Sequence, residues 1–280
     1  MSGRKAFFLS LIISLGVIVP VYTVFVMMHI ANDTPVEQQN VSVPITTPQV
    51  GDSKNLLFMT GEEKDIFVLL RFDALQNKIS VAALPANTVV LNGGKAVTIS
   101  QALSYAGPAL INQTLQDTLT LKIDDYLYVP PDILESAFAG QISAPLSMED
   151  MESLNKNLTL LRQFAFNGGV STLSPASVRQ LLTSDSLDDM DRQALRAKLY
   201  AAFLTGTCEQ LYKILPTLMR GGGEVRTSVK ATDIYNYERI CKYFLRAAPT
   251  VEGCVIPGEL HQDRYELNET ALNTMQRLFT

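Results

Sequence analysis

The chain has 280 residues, 47% of them hydrophobic, and a formal net charge of −5. This size suits one sizeable domain plus an anchor, and no internal repeat divides the sequence. Removing Arg4 and Lys5 from the 23 basic residues leaves 21 against 28 acidic ones, so the rest of the chain carries about −7. This acidic excess argues against nucleic acid or anionic lipid as a partner recruited by overall charge.

Residues 6–30 form an apolar run without Asp, Glu, Lys or Arg. A helix of that length crosses a hydrocarbon core of about 30 Å at about 1.5 Å per residue, and Pro20 is tolerated in a membrane span. Arg4 and Lys5 precede the run, so the positive-inside rule keeps residues 1–5 in the cytoplasm. We therefore expect a single-pass transmembrane helix over 6–30, with the rest of the chain outside the cell membrane.

A cleaved signal peptide is the rival interpretation of this run. The run exceeds the usual hydrophobic region of about 7–15 residues, and no small-x-small cleavage site follows it cleanly, so we favour the anchor. Residues 31–53 contain three prolines and several Asn, Gln and Thr residues. That composition predicts an extracytoplasmic linker, followed by a domain over residues 54–280.

Short apolar runs bounded by turn residues predict the strands of a sheet that is buried on both faces. The runs cover residues 56–59, 66–73, 79–84 and 126–129. Helical patterns lie among them: Thr98 opens a short helix, Gly107 and Pro108 end it and begin another, and residues 133–138 mark a third. This order predicts an α/β layered sandwich, with a central mixed sheet flanked by helices.

The second half of the chain is richer in helical patterns. Ser174 and Pro175 form a capping pair, and acidic residues among 188–191 begin a long helix that runs through Phe203. A further amphipathic helix, over residues 234–245, follows a cap at Thr232. The glycine triplet 221–223 follows a helix and lacks a Lys-Ser or Lys-Thr pair, which indicates a helix end rather than a phosphate loop.

The three cysteines are few for a disulfide scaffold. Cys208, Cys241 and Cys254 allow at most one bridge within the chain, and their spacing matches no zinc pattern. Buried, unpaired thiols are the favoured interpretation. The sequence therefore predicts no metal site.

The first strands and turns resemble the start of a LytR-CpsA-Psr (LCP) domain. That family has Arg-Ser-Asp-Thr where this chain has Glu63-Lys64-Asp65-Ile66, and Ile-Pro-Arg-Asp-Thr where it has Leu84-Pro85-Ala86-Asn87-Thr88. Later family motifs are echoed in the same order. They fall at Thr98-Ile99-Ser100-Gln101-Ala102, Ser104-Tyr105-Ala106-Gly107-Pro108, residues 123–129, Asp191-Arg192-Gln193 and Val225-Arg226-Thr227-Ser228.

The resemblance implies bacterial cell-envelope chemistry, because LCP proteins move polymers from polyprenyl pyrophosphate onto the cell wall. Guanidinium groups are suited to binding a pyrophosphate, because each one can donate to two phosphate oxygens and stays charged. The chain departs from the family at five arginine positions, which hold Glu63, Ala86, Thr183, Asp185 and Asp189. Two of these sites are neutral and three are negative, a reversal that repels a pyrophosphate.

Two family positions are retained, and both are candidate phosphate- or lipid-binding residues. Asp65 matches the family's magnesium-linked aspartate, and Arg192 matches its Arg-Gln arginine. The alternatives are a turn acid for Asp65 and a solvated helix cation for Arg192. For an active transferase with relocated cations, the candidate substitutes are Arg71, Lys64, Lys95 and Arg179. Arg71 is also a third candidate phosphate- or lipid-binding residue, with a surface cation as the alternative.

Three functions follow from this pattern. The first is a membrane-anchored LCP-like pseudoenzyme that binds a polyprenyl-linked glycan or cell-envelope proteins, without a cofactor. The second is an active, magnesium-dependent phosphotransferase with relocated cations. The third is an interaction module that binds no ligand. An apolar cavity open near Asp65 would favour the first two, and a filled core the third.

Overall fold

A six-stranded mixed sheet forms the centre of the computed structural model, which describes residues 48–61, 65–137, 142–144, 171–174, 177, 189–220 and 222–280. The strands are β1 Ser53–Thr60, β2 Ile66–Asp73, β3 Lys78–Leu84, β4 Val89–Asn92, β5 Lys95–Thr98, β6 Asp125–Tyr128, β7 Ile142–Ala144, β8 Ser171–Leu173, β9 Arg226–Thr227, β10 Thr250–Val255, β11 Gly258–His261 and β12 Arg264–Leu267. The helices are α1 Ile99–Ala106, α2 Pro108–Leu119, α3 Pro131–Ala137, α4 Asp189–Met219, α5 Ala231–Ala247 and α6 Glu269–Phe279.

The strand order in the central sheet is β10-β3-β2-β1-β6-β9. The β1–β2, β2–β3 and β6–β9 pairs are antiparallel, whereas β1–β6 and β3–β10 are parallel. Consequently β1, β3, β6 and β10 all run in one direction, and β2 and β9 run in the other. All four predicted strands lie in this sheet, which confirms the predicted mixed-sheet α/β architecture.

Both faces of the sheet are buried, as the continuous apolar runs predict. Successive side chains of a strand point to opposite faces. Phe67 and Leu69 therefore pack with α1, α2 and α6, whereas Val68 and Phe72 pack with α4 and α5. Each such side chain contributes about 1.5–3 kcal/mol when fully buried.

The α1–α2 corner follows the local sequence signals closely. The Thr98 amide donates to Gln101 Oε1 at 3.1 Å and the Gln101 amide to Thr98 Oγ1 at 3.2 Å, which makes a reciprocal capping box. Gly107 then adopts a φ of +77°, a conformation that glycine tolerates, and Pro108 begins α2. The predicted helix break at Gly107 is confirmed.

The long helices α4 and α5 cover the other face. Their prediction is confirmed, but the cap of α5 is Lys230 and not Thr232. The amides of Asp233 and Ile234 both donate to the Lys230 carbonyl, at 2.9 and 3.1 Å, so the helix has already begun before Thr232. Cys208 and Cys241 are buried in this layer as free thiols, and burial raises the pKa of Cys241.

The sequence motifs did not reveal β10, which forms the sheet margin beside β3. Gly253 of β10 lies so close to α4 that an added Cβ would be 2.3 Å from the Ala197 carbonyl oxygen. Within the described part of the chain, no helix is both long and apolar enough to span a bilayer. The predicted span over 6–30 lies outside the described residues, as does Phe138.

Candidate functional site

The strand directions give the sheet two chemically different edges. We call the first the Asp65 edge: β1, β3, β6 and β10 end there, and β2 and β9 begin there, so it holds Asp65, residues 85–88, Tyr128 and Arg226. The opposite one is the linker edge, where the chain enters through Pro48. In α/β sheets, ligands bind beyond the carboxyl ends of parallel strands. The Asp65 edge is therefore the candidate site.

Asp65 is half-buried directly before β2, and the Ser100 hydroxyl donates a hydrogen bond to its carboxylate. The Ser100 amide in turn donates to the Ala86 carbonyl at 3.0 Å. Asp65, the segment after β3 and the start of α1 are thus tied together. Sequence reasoning missed the role of Ser100, because the two residues are 35 positions apart and only the fold brings them into contact.

The N-terminus of α1 is already occupied by protein acceptors. Its first three amides donate to the carbonyls of Thr88 and Ala86, at 3.0 Å each, and to Thr98 Oγ1. A helix N-terminus binds phosphate through amides that lack such partners. Shortly after β3, where the resembled family has an arginine, this chain has Ala86, whose side chain is a methyl group. On the β2–β3 side, the backbone amides at the start of α1 therefore have protein acceptors, and position 86 supplies no cation.

A resident magnesium site does not fit this geometry. Mg²⁺ takes near-octahedral oxygen ligands, and it is held by one or two carboxylates together with substrate phosphates. Asp65 is a single carboxylate already engaged by Ser100. Across the described ranges, no three His, Cys, Asp or Glu side chains gather as a possible metal site.

The β6–β9 side of the edge carries a cation. Arg226 pairs with Tyr128 in the antiparallel ladder, so both side chains point to the face covered by α1 and α2. Arg226 Nη1 lies 3.7 Å from where a Cβ on Gly107 would be. The Tyr128 hydroxyl donates to the Gly61 carbonyl at 3.0 Å. Arg226 stood at the variable position of a family motif, and only strand pairing reveals that it belongs to this edge.

Arg71 lies at the linker edge, about 20 Å along β2 from Asp65 at about 3.3 Å per residue. Its guanidinium donates to the carbonyls of Phe279 at 2.7 Å and Thr280 at 3.0 Å, and it forms an ion pair with Asp73 at 3.0 Å. The structure does not bring Arg71 to Asp65. Nor is it a surface cation, since its side chain is only 13% exposed.

The remaining candidates divide by position. Arg192 and Asp189 lie in the first turn of α4, where the described side chains begin only at Arg196. Lys95 is exposed in the β4–β5 hairpin. The other family positions and substitutes fall outside the described residues, and their roles stay predictions. They are Glu63, Lys64, Arg179, Thr183 and Asp185.

A buried carboxyl group at the linker edge joins α5 to β6 through hydrogen bonds. Asp125 is 6% exposed and accepts hydrogen bonds from Ser228 Oγ at 3.1 Å and Tyr237 Oη at 3.2 Å. Burial raises the pKa of Asp125, and the two hydrogen bonds partly oppose that rise. Because Tyr237 belongs to α5 and Ser228 precedes it, this cluster fastens α5 to β6.

A small cavity lined by described residues also lies at the linker edge. It has a volume of about 60 Å³ and lies between Pro48, Asp52, Arg239 and Tyr243. The Arg239 guanidinium forms an ion pair with the buried Asp52 carboxylate. This cavity is too small for a polyprenyl tail, and the cavity predicted near Asp65 stays a prediction.

Solved structures share this architecture at low sequence identity. A protein from Eubacterium siraeum described as a transcription regulator matches with a TM-score of 0.64 at 17% identity, over 88% of this chain and 98% of that one. Bacillus subtilis TagT matches with a TM-score of 0.59 at 14% identity, over 81% of this chain and 89% of TagT. B. subtilis TagV matches with a TM-score of 0.59 at 16% identity, over 81% of this chain and 95% of TagV. TagT and TagV are LCP-family enzymes.

The fold is LCP-like. No family model and no curated protein sequence matches the chain. At these identities the likeness establishes the fold alone. The chemistry of the Asp65 edge therefore has to be judged from its own residues. The main ones are Asp65, Ala86, Ser100 and Arg226.

Proposed function

We propose that this chain is an extracytoplasmic LCP-like protein of bacterial cell-envelope polymer assembly, held at the membrane by its N-terminal segment. It binds a polyprenyl-linked glycan or a partner protein of the envelope, and it transfers no polymer. The likeness to TagT and TagV supports a function related to cell-wall glycopolymers. TagT has also been solved bound to LIIa-WTA, which supports ligand binding on this fold.

One observation carries the proposed loss of transfer: on the β2–β3 side of the Asp65 edge, the groups at the start of α1 that would stabilise negative charge are engaged or replaced. Ala86 replaces a cation, the first amides of α1 have protein acceptors, and Asp65 itself is negative. Phosphoryl-type transfer depends on positioning and on stabilising developing negative charge. Without groups that stabilise the developing negative charge, the edge binds a ligand but does not catalyse its transfer.

The direct test measures release of pyrophosphate or transfer of glycan from a polyprenyl pyrophosphate donor, with magnesium, by the full-length protein in detergent. We expect no turnover above the protein-free blank. The Ala86→Arg variant should also stay inactive, because four other family arginine positions lack their cation. Robust turnover by the unmodified protein that is abolished in Asp65→Ala would contradict the proposal.

Bound lipid gives a second test of the same function. Lipid extracted from the purified full-length protein is analysed by mass spectrometry, and we expect copurified polyprenyl phosphate. A protein free of such lipid, and unable to take it up from mixed micelles, favours the interaction module instead.

A second candidate is an active transferase with relocated cations, and Arg226 is the observation that favours it. Arg71 cannot fill this role, because it is engaged with Asp73 at the linker edge. The two candidates differ in one measurement. If the protein is a transferase, Arg226→Gln lowers turnover, whereas the binding protein has no turnover to lose.

A further inference from the structure

Charge is distributed unevenly along the Asp65 edge. Asp65 precedes β2, and Arg226 begins β9, three strand spacings away in the sheet order. At about 4.8 Å per spacing, the two positions are about 14 Å apart. Asp65 therefore places negative charge at the β2 position of this edge, and Arg226 places positive charge at its β9 end.

The Arg226 guanidinium is available to a ligand. The residue is exposed, and it makes no hydrogen bond or ion pair with any residue in the described part of the chain. Arg239 and Arg71, by contrast, are engaged with the buried carboxylates of Asp52 and Asp73. Among the described residues, Arg226 has no carboxylate partner, even though Glu224 lies two residues before it.

The surroundings of Arg226 suit a phosphate group with an attached polar or ring-shaped moiety. Gly107 has no side chain, so the guanidinium rests against its backbone at the start of α2, which has no side-chain cap. Tyr105, two residues earlier, is 86% exposed, and Tyr128 lies beside Arg226 on the same face. An exposed aromatic ring such as that of Tyr105 binds the apolar faces of ring-shaped groups, and the guanidinium fork binds phosphate oxygens in pairs.

We propose that Arg226 binds the phosphate of the polyprenyl-linked ligand, so that the anion site lies on the β6–β9 side of the Asp65 edge instead of the β2–β3 side. The inference rests on the proposed function, because it assumes that this edge binds such a ligand. Arg226 is then a binding residue, and Asp65 repels the anion from the other end.

The test is isothermal titration calorimetry of the full-length protein in non-ionic detergent with farnesyl pyrophosphate as the probe. Farnesol reports on the apolar tail alone, and inorganic pyrophosphate reports on the anion alone. We expect Arg226→Gln to bind farnesyl pyrophosphate about tenfold more weakly, since it loses one charge-assisted contact. Its affinity for farnesol should not change, and Arg226→Lys should fall between the two.

Arg277→Gln is the matched control, because Arg277 is an exposed arginine of α6, the helix whose last carbonyl accepts from Arg71 at the linker edge, and its loss removes the same charge. It should bind like the unmodified protein. Equal affinity in Arg226→Gln and the unmodified protein, or an equal loss in Arg277→Gln, overturns the inference and leaves the proposed function standing. Failure of the unmodified protein to bind either farnesyl compound overturns the inference together with the lipid-binding part of the proposed function, and favours the interaction module. Inorganic pyrophosphate binding as tight as farnesyl pyrophosphate, and lost in Arg226→Gln, supports the anion site but assigns it to a free anion.

Discussion

Two arginines of the central sheet show how neighbours decide the role of a side chain. Arg71 lies between Asp73 and the last carbonyls of α6, so its charge is used within the fold. A cation near helix C-terminal carbonyls also interacts favourably with the helix dipole. Arg226 lies at the sheet margin with no such partner in the described residues. The same residue type is structural in one place and available for binding in the other.

Arg71→Ala should destabilise the protein by about 2–4 kcal/mol, because it leaves the buried Asp73 carboxylate without its cation and removes a donor from the carbonyls of Phe279 and Thr280. The measurement is urea denaturation of the full-length protein in detergent, followed by circular dichroism. Lys95→Ala, at an exposed hairpin position, should change the unfolding free energy by less than about 0.5 kcal/mol. Similar midpoints for the two variants would show that the Arg71 contacts contribute little.

Asp125 should make stability depend on pH in an unusual direction. Its folded pKa is raised above the ordinary value of 3.8, chiefly by burial. Its contribution to stability is therefore fully present below about pH 3.8 and is lost as the pH rises through the folded pKa. Asp125→Asn removes this ionisation, so its stability relative to the unmodified protein should increase between pH 4 and pH 7.

Urea midpoints at several pH values in that range measure this difference. Asp263→Asn, at an exposed position, provides the control and should follow the unmodified protein. Parallel pH profiles for Asp125→Asn and the unmodified protein would mean that Asp125 titrates alike in the folded and unfolded chain.

At the scale of elements, the contact between α4 and β10 fixes one margin of the sheet. The Ala197 carbonyl approaches Gly253 so closely that no side chain fits between them. Glycine in a strand interior often marks such a close approach of two backbones. The helix therefore reaches the outermost strand only because position 253 lacks a Cβ.

Gly253→Ala should destabilise the protein by about 1–3 kcal/mol, because α4 has to move away from β10. Gly51→Ala is the matched control: nothing lies within 4 Å of its added Cβ, and its φ is not positive. Thermal unfolding of both variants, followed by circular dichroism, measures the difference. An unchanged transition in Gly253→Ala would show that the helix relaxes at no cost.

At the scale of the whole molecule, topology is the main prediction. The domain should lie outside the cytoplasmic membrane behind an uncleaved N-terminal helix, because Arg4 and Lys5 precede the apolar run. Protease added to intact protoplasts should therefore degrade the domain. Protection of the domain, with digestion only after lysis, would place it in the cytoplasm and refute the topology.

Local sequence patterns predicted the elements that depend on residues close together in the chain. Residues 66–73 alternate between two buried faces and form β2 over those same positions. Thr98, Gly107 and Pro108 set the ends of α1 and α2 through caps that act within a few residues. By contrast, β10 carries Glu252 and Gly253 among its six residues, and its strand character depends on pairing with β3.

The sequence by itself determined the α/β alternation, the buried strands and the likeness to LCP domains, because periodicity, caps and motif order are local properties of the chain. Only the tertiary structure decided which side chains share an edge. Strand direction placed Arg71 and Asp65 at opposite edges, and strand pairing placed Arg226 at the Asp65 edge. Contacts between residues far apart in the chain, such as Ser100 with Asp65, exist only after folding, since no local rule relates their positions.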